Sequence, residues 1–179
     1  MLQKCNMWKV GAIFFREPIK KHYLMEISKK SKLAHTSIKR YLLLLKKDSI
    51  IKESVEKKGN KRYPLYQANF DNIEYKFYKK IYNLCQLKNS GLISFLKKKL
   101  MPNVIVLFGS YAKGEDTDES DIDIFVECQQ EKIILSKFEK YLGRYIQLHF
   151  KRKFQDYPKE LRNNIINGII LNGYLEAFK

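Results

Sequence analysis

Apolar residues recur every three or four positions in the first part of the chain, a pattern that predicts helices. Such spacing places the apolar side chains on one face of a helix. Three segments show it, at residues 7–15, 23–28 and 36–47. In the third segment, basic residues lie away from the apolar stripe. That stripe is formed by Ile38, Tyr41, Leu42 and Leu45.

Two further patterns follow before the middle of the chain. Residues 50–56 and 62–68 flank a Lys-Gly-Asn-Lys turn, which is the pattern of a β-hairpin. Residues 71–87 carry apolar positions at helical spacing and predict a linker helix. An Asn-Ser-Gly segment ends this helix, and the pattern predicts another short helix at residues 92–100.

The second half opens with two short, β-branched apolar runs, which predict buried strands. The first run is Val104–Phe108, and the second holds Asp121 and Asp123. Helical and strand patterns thus occur in both halves of the chain, and we expect an α+β chain of two domains. The remaining predicted elements are a helix at 132–142, a strand at 144–150 and a final amphipathic helix at 159–171.

Length and composition bound the class of protein. A chain of 179 residues holds one ordinary domain or two small ones. Its apolar runs fall short of the ~18 residues that a membrane span needs, and no secretory signal pattern opens the sequence. The three cysteines, Cys5, Cys85 and Cys128, are widely spaced and odd in number. We therefore expect reduced thiols, a cytoplasmic location and no membrane partner.

The net charge of +16 is unevenly distributed. Residues 1–80 carry 20 basic and 7 acidic side chains, whereas residues 81–179 carry 15 and 12. The first part is therefore the basic one, and a polyanion is its expected partner, because lysine and arginine release counterions from phosphates. A generic solubilising lysine surface is the alternative.

Residues 23–68, with the segment LAHTSIKRYLLLLKKDSIIK, resemble the winged-helix DNA-binding domains of prokaryotic regulators. The resemblance implies three helices plus a β-hairpin, with the third helix entering the major groove of double-stranded DNA. A homodimer is expected, since such regulators usually read two half-sites. For each single lysine, a solvated surface charge is the alternative. The candidate DNA-binding residues are His35, Thr36, Ser37, Lys39, Arg40, Lys57, Lys58, Lys61 and Arg62.

The candidate chemistry lies in residues 104–127. Asp121 and Asp123 share one face of the second strand, because side chains alternate along a strand. Adjacent carboxylates repel each other and are usually tolerated where a cation sits between them. A turn at Gly109 and Ser110, opposite this pair, offers a place for a triphosphate. An acidic surface loop is the alternative, but it leaves Asp123 unexplained inside an apolar run.

The Gly109-Ser110 turn, followed by the segment Ser-Asp-Ile-Asp-Ile, resembles the minimal members of the nucleotidyltransferase superfamily. The resemblance covers about residues 92–175. It implies a small mixed β-sheet with helices packed on it. It also implies that Gly109 and Ser110 bind the nucleotide phosphates, and that Asp121 and Asp123 are catalytic ligands of Mg²⁺. A nucleoside triphosphate is then the expected ligand or substrate.

One position departs from the family pattern. The third carboxylate of the family lies in a segment like Val-Asp-Leu-Val, where this chain has Ile-Gln-Leu-His, so that Gln147 replaces the acid. A glutamine oxygen can ligate Mg²⁺, but it brings no charge and cannot act as a general base. His149 shares the face of Gln147 and could substitute. A strand histidine satisfied by local hydrogen bonds is the favoured interpretation.

Three hypotheses about function follow. The first is a DNA-binding transcription regulator, with a winged helix at 1–70, a linker helix at 71–90 and a nucleotidyltransferase-like domain at 91–179. In it, the last domain binds Mg²⁺ and nucleotide with weak or no transferase activity. The second is an active nucleotidyltransferase that modifies a protein or nucleic acid, as antitoxin-type minimal members do. The third is an antitoxin-like interaction module that binds a small helical partner protein.

Overall fold

A computed structural model describes residues 5–177 as an α+β chain with eight helices and two β-sheets. The predicted α+β class is thus confirmed. The chain divides into two compact units, and the boundary falls between Lys79 and Lys80, within a single long helix. The domain limits predicted at residues 70 and 90 stay predictions. Between residues 5 and 177, every helix is too short or too polar to cross a bilayer.

Unit 1, which ends at Lys79, combines three short helices with a three-stranded antiparallel sheet. Its sheet has the order β1-β3-β2, and Gly59 takes the left-handed conformation at the hairpin turn, with a φ of +59°. In chain order its elements are α1 (Asn6–Arg16), β1 (His22–Tyr23), α2 (Leu24–Ser31), α3 (His35–Lys47), β2 (Ile51–Lys58) and β3 (Lys61–Ala68).

The helix α4 (Ile73–Ser90) occupies the segment for which a linker helix was predicted. Two residues of its apolar pattern, Ile73 and Phe77, are 78% and 56% exposed. Tyr75 and Lys79 are buried instead, because their polar tips reach carbonyl groups near the end of α1. Apolar spacing alone therefore does not identify the buried side of α4.

Unit 2, which begins at Lys80, is built on a four-stranded mixed sheet with the order β6-β5-β4-β7. The β5–β6 pair is parallel, and the other two pairs are antiparallel. Besides the second part of α4, its elements are α5 (Leu92–Leu100), β4 (Val104–Phe108), α6 (Gly109–Lys113), β5 (Ile122–Glu127), α7 (Ser136–Leu142), β6 (Ile146–Lys151), α8 (Lys159–Ile166) and β7 (Ile169–Gly173).

The sheet of unit 2 is buried on both faces. On β5, Ile122, Ile124 and Val126 pack into a cluster with residues of α5 and α7. Phe125 points the other way, into a second cluster that includes Phe154 at a 3₁₀ turn and Ile165 of α8. This alternation agrees with the predicted strand and places Asp123 on the Phe125 face.

Two predicted helices are shorter in the structure. The one expected at 132–142 begins only at Ser136. The final one ends at Ile166, and Ile169–Gly173 forms the strand β7 on β4 instead. Gly168 explains the change of direction, since a Cβ there would lie 2.5 Å from the carbonyl oxygen of Leu107. The backbone can therefore approach β4 closely enough to pair with it.

Asp116 holds the loop between α6 and β5 in place. It is fully buried, and its Oδ1 accepts a hydrogen bond of 2.7 Å from Asn83 Nδ2. Its Oδ2 lies 3.4 Å from Arg144 Nη2, at the start of the segment that leads into β6. Asn83 also donates to the Tyr111 carbonyl, 2.9 Å away. The loop is therefore anchored by a buried acid and is not a wholly exposed acidic loop.

Replacing Asp116 by alanine is expected to destabilise unit 2 by about 3 kcal/mol, because it leaves the Arg144 charge buried without its partner. Hydrogen exchange of the β4 and β5 amides measures the free energy of opening of this unit. Asp118→Ala is the matched control in the same loop, since Asp118 is exposed. An equal loss in both variants would show that the ion pair does not stabilise the loop.

Candidate active site

Three neighbouring strands set the position of Asp123. It pairs with Phe108, the last residue of β4, on one side and with Gln147 of β6 on the other. Residues paired across strands project to the same face of a sheet. The candidate carboxylate therefore stands beside both the end of β4 and the position at which the family carries its third acid.

Gly109 lies directly against the Asp123 carboxylate. Its φ is +74°, in the left-handed region, where the chain turns from β4 into α6. A Cβ at this position would lie 2.5 Å from Asp123 Oδ2. Only glycine satisfies both the backbone conformation and this close approach. The structure thus brings together Gly109 and Asp123, although 13 residues separate them in the sequence.

His149 also belongs to this site. Its Nε2 lies 3.1 Å from Asp123 Oδ1, within hydrogen-bond distance. Its ring packs against Phe108, with a distance of 5.0 Å between the ring centroids. The histidine is therefore satisfied locally, and its partner is the candidate metal ligand itself. The only signal for this contact in the sequence is the spacing of two residues between Gln147 and His149.

The other candidate residues lie on elements next to Asp123. Asp121 is exposed and lies just before β5, whose first residue is Ile122. Ser110 is half-buried in the first turn of α6. Gln147 is exposed and in register with Asp123. The candidate site thus lies where β4 ends and β5 and β6 begin, and its residues offer two carboxylates, one amide, one hydroxyl and one imidazole.

The candidate DNA-binding residues lie on two elements of unit 1. His35, Thr36, Lys39 and Arg40 are exposed on the first turns of α3, and Ser37 between them is half-buried. The basic residues of the hairpin are exposed as well. Residues of α3 and of the hairpin line the same groove, which has a volume of about 740 Å³. Those lining it include Lys39 of α3 together with Lys58, Tyr63 and Pro64 of the hairpin.

Fold and site define a class of protein, and comparisons with known proteins agree with it. The profile of the family described as polymerase beta, nucleotidyltransferase matches residues 90–174. The chain belongs to this nucleotidyltransferase family.

Two proteins of Methanocaldococcus jannaschii that carry the provisional name protein adenylyltransferase are similar to this chain. One is 39% identical over 69 residues, which cover 34% of this chain and 69% of the relative. The other is 34% identical over 85 residues, which cover 45% and 72%. No solved structure matches the chain significantly.

These comparisons favour the second hypothesis over the first. The family match lies in residues 90–174, and the names of both relatives describe a transferase. Neither name refers to DNA or to transcription. The prediction of a nucleotidyltransferase domain is therefore confirmed. The roles of the individual site residues, the DNA partner and the homodimer stay predictions.

Replacing Gly109 by alanine is expected to displace the Asp123 carboxylate and to weaken Mg²⁺-dependent ATP binding by about 10- to 100-fold. Calorimetric titration with ATP in the presence of Mg²⁺ measures the effect. Gly143→Ala is the matched control, because Gly143 has a similar φ of +67° but no atom within 4 Å of the position that a Cβ would take. If both variants bind ATP alike, the contact with Asp123 does not matter for binding.

Proposed function

We propose that residues 91–179 form a slow nucleotidyltransferase domain that moves AMP from ATP to a hydroxyl group of a protein. The observation that carries the proposal is the Asp123 carboxylate, packed against Gly109 and within hydrogen-bond distance of His149. The names of the two relatives support AMP as the group transferred and a protein as the acceptor.

The donor set fits a divalent cation such as Mg²⁺. Asp121 and Asp123 provide hard oxygen donors at the start of β5, and Gln147 adds an amide oxygen beside Asp123. Gly109 avoids a clash with Asp123 Oδ2, because a Cβ at position 109 would lie only 2.5 Å from that oxygen. When bound, the ion supplies charge neutralisation of the nucleotide phosphates.

In this proposal the residues of the chain mainly bind the metal ion and the nucleotide and orient the groups that hold them. Asp121 and Asp123 hold the ion, and Gly109 and Ser110 face the phosphates. His149 fixes the orientation of the Asp123 carboxylate, as residues behind a metal ligand commonly do.

The transfer step itself is a displacement at the α-phosphorus. The acceptor oxygen bonds to the α-phosphorus, the α–β phosphoanhydride bond breaks, and pyrophosphate leaves. The proton of the hydroxyl passes to solvent, because Gln147 cannot accept it. We therefore expect slow transfer, since positioned general-base catalysis commonly contributes about 10²- to 10⁴-fold.

Restoring an acid at position 147 tests this account. Gln147→Asp is expected to raise the rate of AMP transfer by about tenfold or more, because it adds a carboxylate beside Asp123. The measurement is the label transferred to protein acceptors from ATP labelled at the α-phosphate. Gln130→Asp, in an exposed loop, is the control for added charge.

Two further variants test whether the candidate site carries out the AMP transfer. Asp121→Asn and Asp123→Asn should abolish the label transfer seen with the wild-type chain and with Gln147→Asp. Transfer that survives in both variants, or no transfer by the wild type or by Gln147→Asp, would contradict the proposed function.

A second function is supported by unit 1. We infer that residues 1–70 are a winged helix that binds double-stranded DNA, joined through a linker helix at 71–90. The sequence of three helices and an antiparallel hairpin supports this fold. The groove that Lys39 and Lys58 both border supports a joint surface of α3 and the hairpin for the phosphate backbone.

The Lys39→Ala/Arg40→Ala double variant is expected to lower the salt dependence of DNA binding. Two lost phosphate contacts should reduce the slope of log K against log salt by about 2. Fluorescence anisotropy with a labelled duplex at several salt concentrations measures the slope. Lys97→Ala/Lys98→Ala removes the same charge from exposed positions of α5 and should leave the slope unchanged. Equal slopes for both double variants, or no binding at low salt, would refute DNA binding by this surface.

A further inference from the structure

A histidine in unit 1 is buried between two glutamates that the functions proposed above do not use. His22 of β1 is fully buried, and its ring lies edge-on to Phe14, with 5.6 Å between the ring centroids. Glu17 follows directly after α1, and Glu26 lies in the first turn of α2. Three consecutive elements of the chain therefore bring these ionisable side chains together.

Neither nitrogen of His22 makes a hydrogen bond. Nε2 lies 3.4 Å from Glu17 Oε2, and Nδ1 lies 3.4 Å from Glu26 Oε1. A buried polar atom without a partner commonly costs about 1–3 kcal/mol, so such an atom calls for an explanation. Burial lowers the pKa of His22.

We propose that Glu17, His22 and Glu26 bind one divalent transition-metal ion, with Zn²⁺ as the best fit. One ligand atom from each side chain lies within 4.8 Å of the other two, and among residues 5–177 no other three carboxylates, imidazoles and thiols come so close. Zn²⁺ accepts this mixture of imidazole nitrogen and carboxylate oxygen, whereas Mg²⁺ prefers oxygen donors only. Because one ion binds only one ring nitrogen, and the two glutamates face different nitrogens of His22, the glutamate on the far side of the ring must turn towards the bound ion.

Water and ions can reach the cluster. The side chains of Glu17 and Glu26 are 27% and 28% exposed. Glu17 also borders an open cleft of about 380 Å³ beside α1. A site with three protein donors and solvent access leaves a fourth position for water, as three-ligand zinc sites commonly do.

Two lysines compete with the ion for the carboxylates. Lys30 Nζ lies 2.7 Å and 2.5 Å from the two oxygens of Glu17, and Lys20 Nζ lies 2.7 Å from Glu26 Oε1. Both lysines are partly exposed, and ion pairs of this kind contribute little stability. They therefore weaken metal binding without preventing it, and Lys30→Gln is expected to tighten it.

Calorimetric titration of the full, tag-free chain with Zn²⁺ tests the site. The Asp121→Asn and Asp123→Asn changes are present throughout, so that the candidate active site cannot contribute. One Zn²⁺ per chain is expected, and Glu17→Gln or Glu26→Gln should weaken its binding at least about tenfold. The control is Glu53→Gln, which removes a glutamate 2.6 Å from a lysine elsewhere in unit 1 and should have no effect.

Titration with Co²⁺ gives a second readout, because the visible absorption of bound Co²⁺ reports a nitrogen ligand. His22→Gln should remove that signature. If this buried change unfolds the unit, Glu17→Gln and Glu26→Gln keep the test valid. No binding of Zn²⁺ would overturn the proposal and leave the lysines as the partners of the glutamates. Binding that is the same in Glu17→Gln, Glu26→Gln and Glu53→Gln would overturn it as well.

Discussion

The pairing of β5 with its two neighbouring strands is the constraint on which the candidate active site depends. It sets Asp123 between Phe108 and Gln147 and brings the carboxylate against Gly109. A shift of one residue would turn every side chain of β5 to the opposite face. Such a shift would expose Ile122, Ile124 and Val126, which are fully buried, and would push Asp123 into the apolar cluster. Hydrophobic burial on one face therefore fixes the geometry of the carboxylates on the other.

The acids of unit 2 illustrate how burial separates structural from functional carboxylates. Asp116 is fully buried and is bonded to Asn83 and Arg144, so that its charge is compensated within the fold. Asp123 is only partly buried and lies at the start of β5, two residues after the exposed Asp121. A buried paired acid mainly holds a loop, whereas adjacent carboxylates at an accessible site can accept a cation. The buried acid Asp116 holds the loop between the two halves of the candidate site. This loop in turn positions the open carboxylates of Asp121 and Asp123.

Part of this fold and site could be predicted from the sequence, and the reasons are physical. β4 and β5 carry strong short-range signals, since β-branched runs and a Gly-Ser turn flank the acidic positions. The strand β7 was missed because an apolar run such as residues 169–171 suits a helix or a strand equally. The contacts of His149 and the surroundings of His22 depend on pairing between strands, which local patterns do not reveal. Family resemblance suggested the candidate site residues, but the distances between them came only from the structure.

Gln147 is best understood through the charge balance of the proposed site. Asp121 and Asp123 together carry two negative charges when ionised, which one divalent cation compensates. A third carboxylate beside Asp123 would add repulsion that a second cation must offset. An uncharged amide at position 147 removes this requirement, and His149 supports the remaining carboxylate without adding negative charge. The site is thus suited to hold one ion with a nucleotide, and the cost of the substitution falls on activation of the acceptor rather than on nucleotide binding.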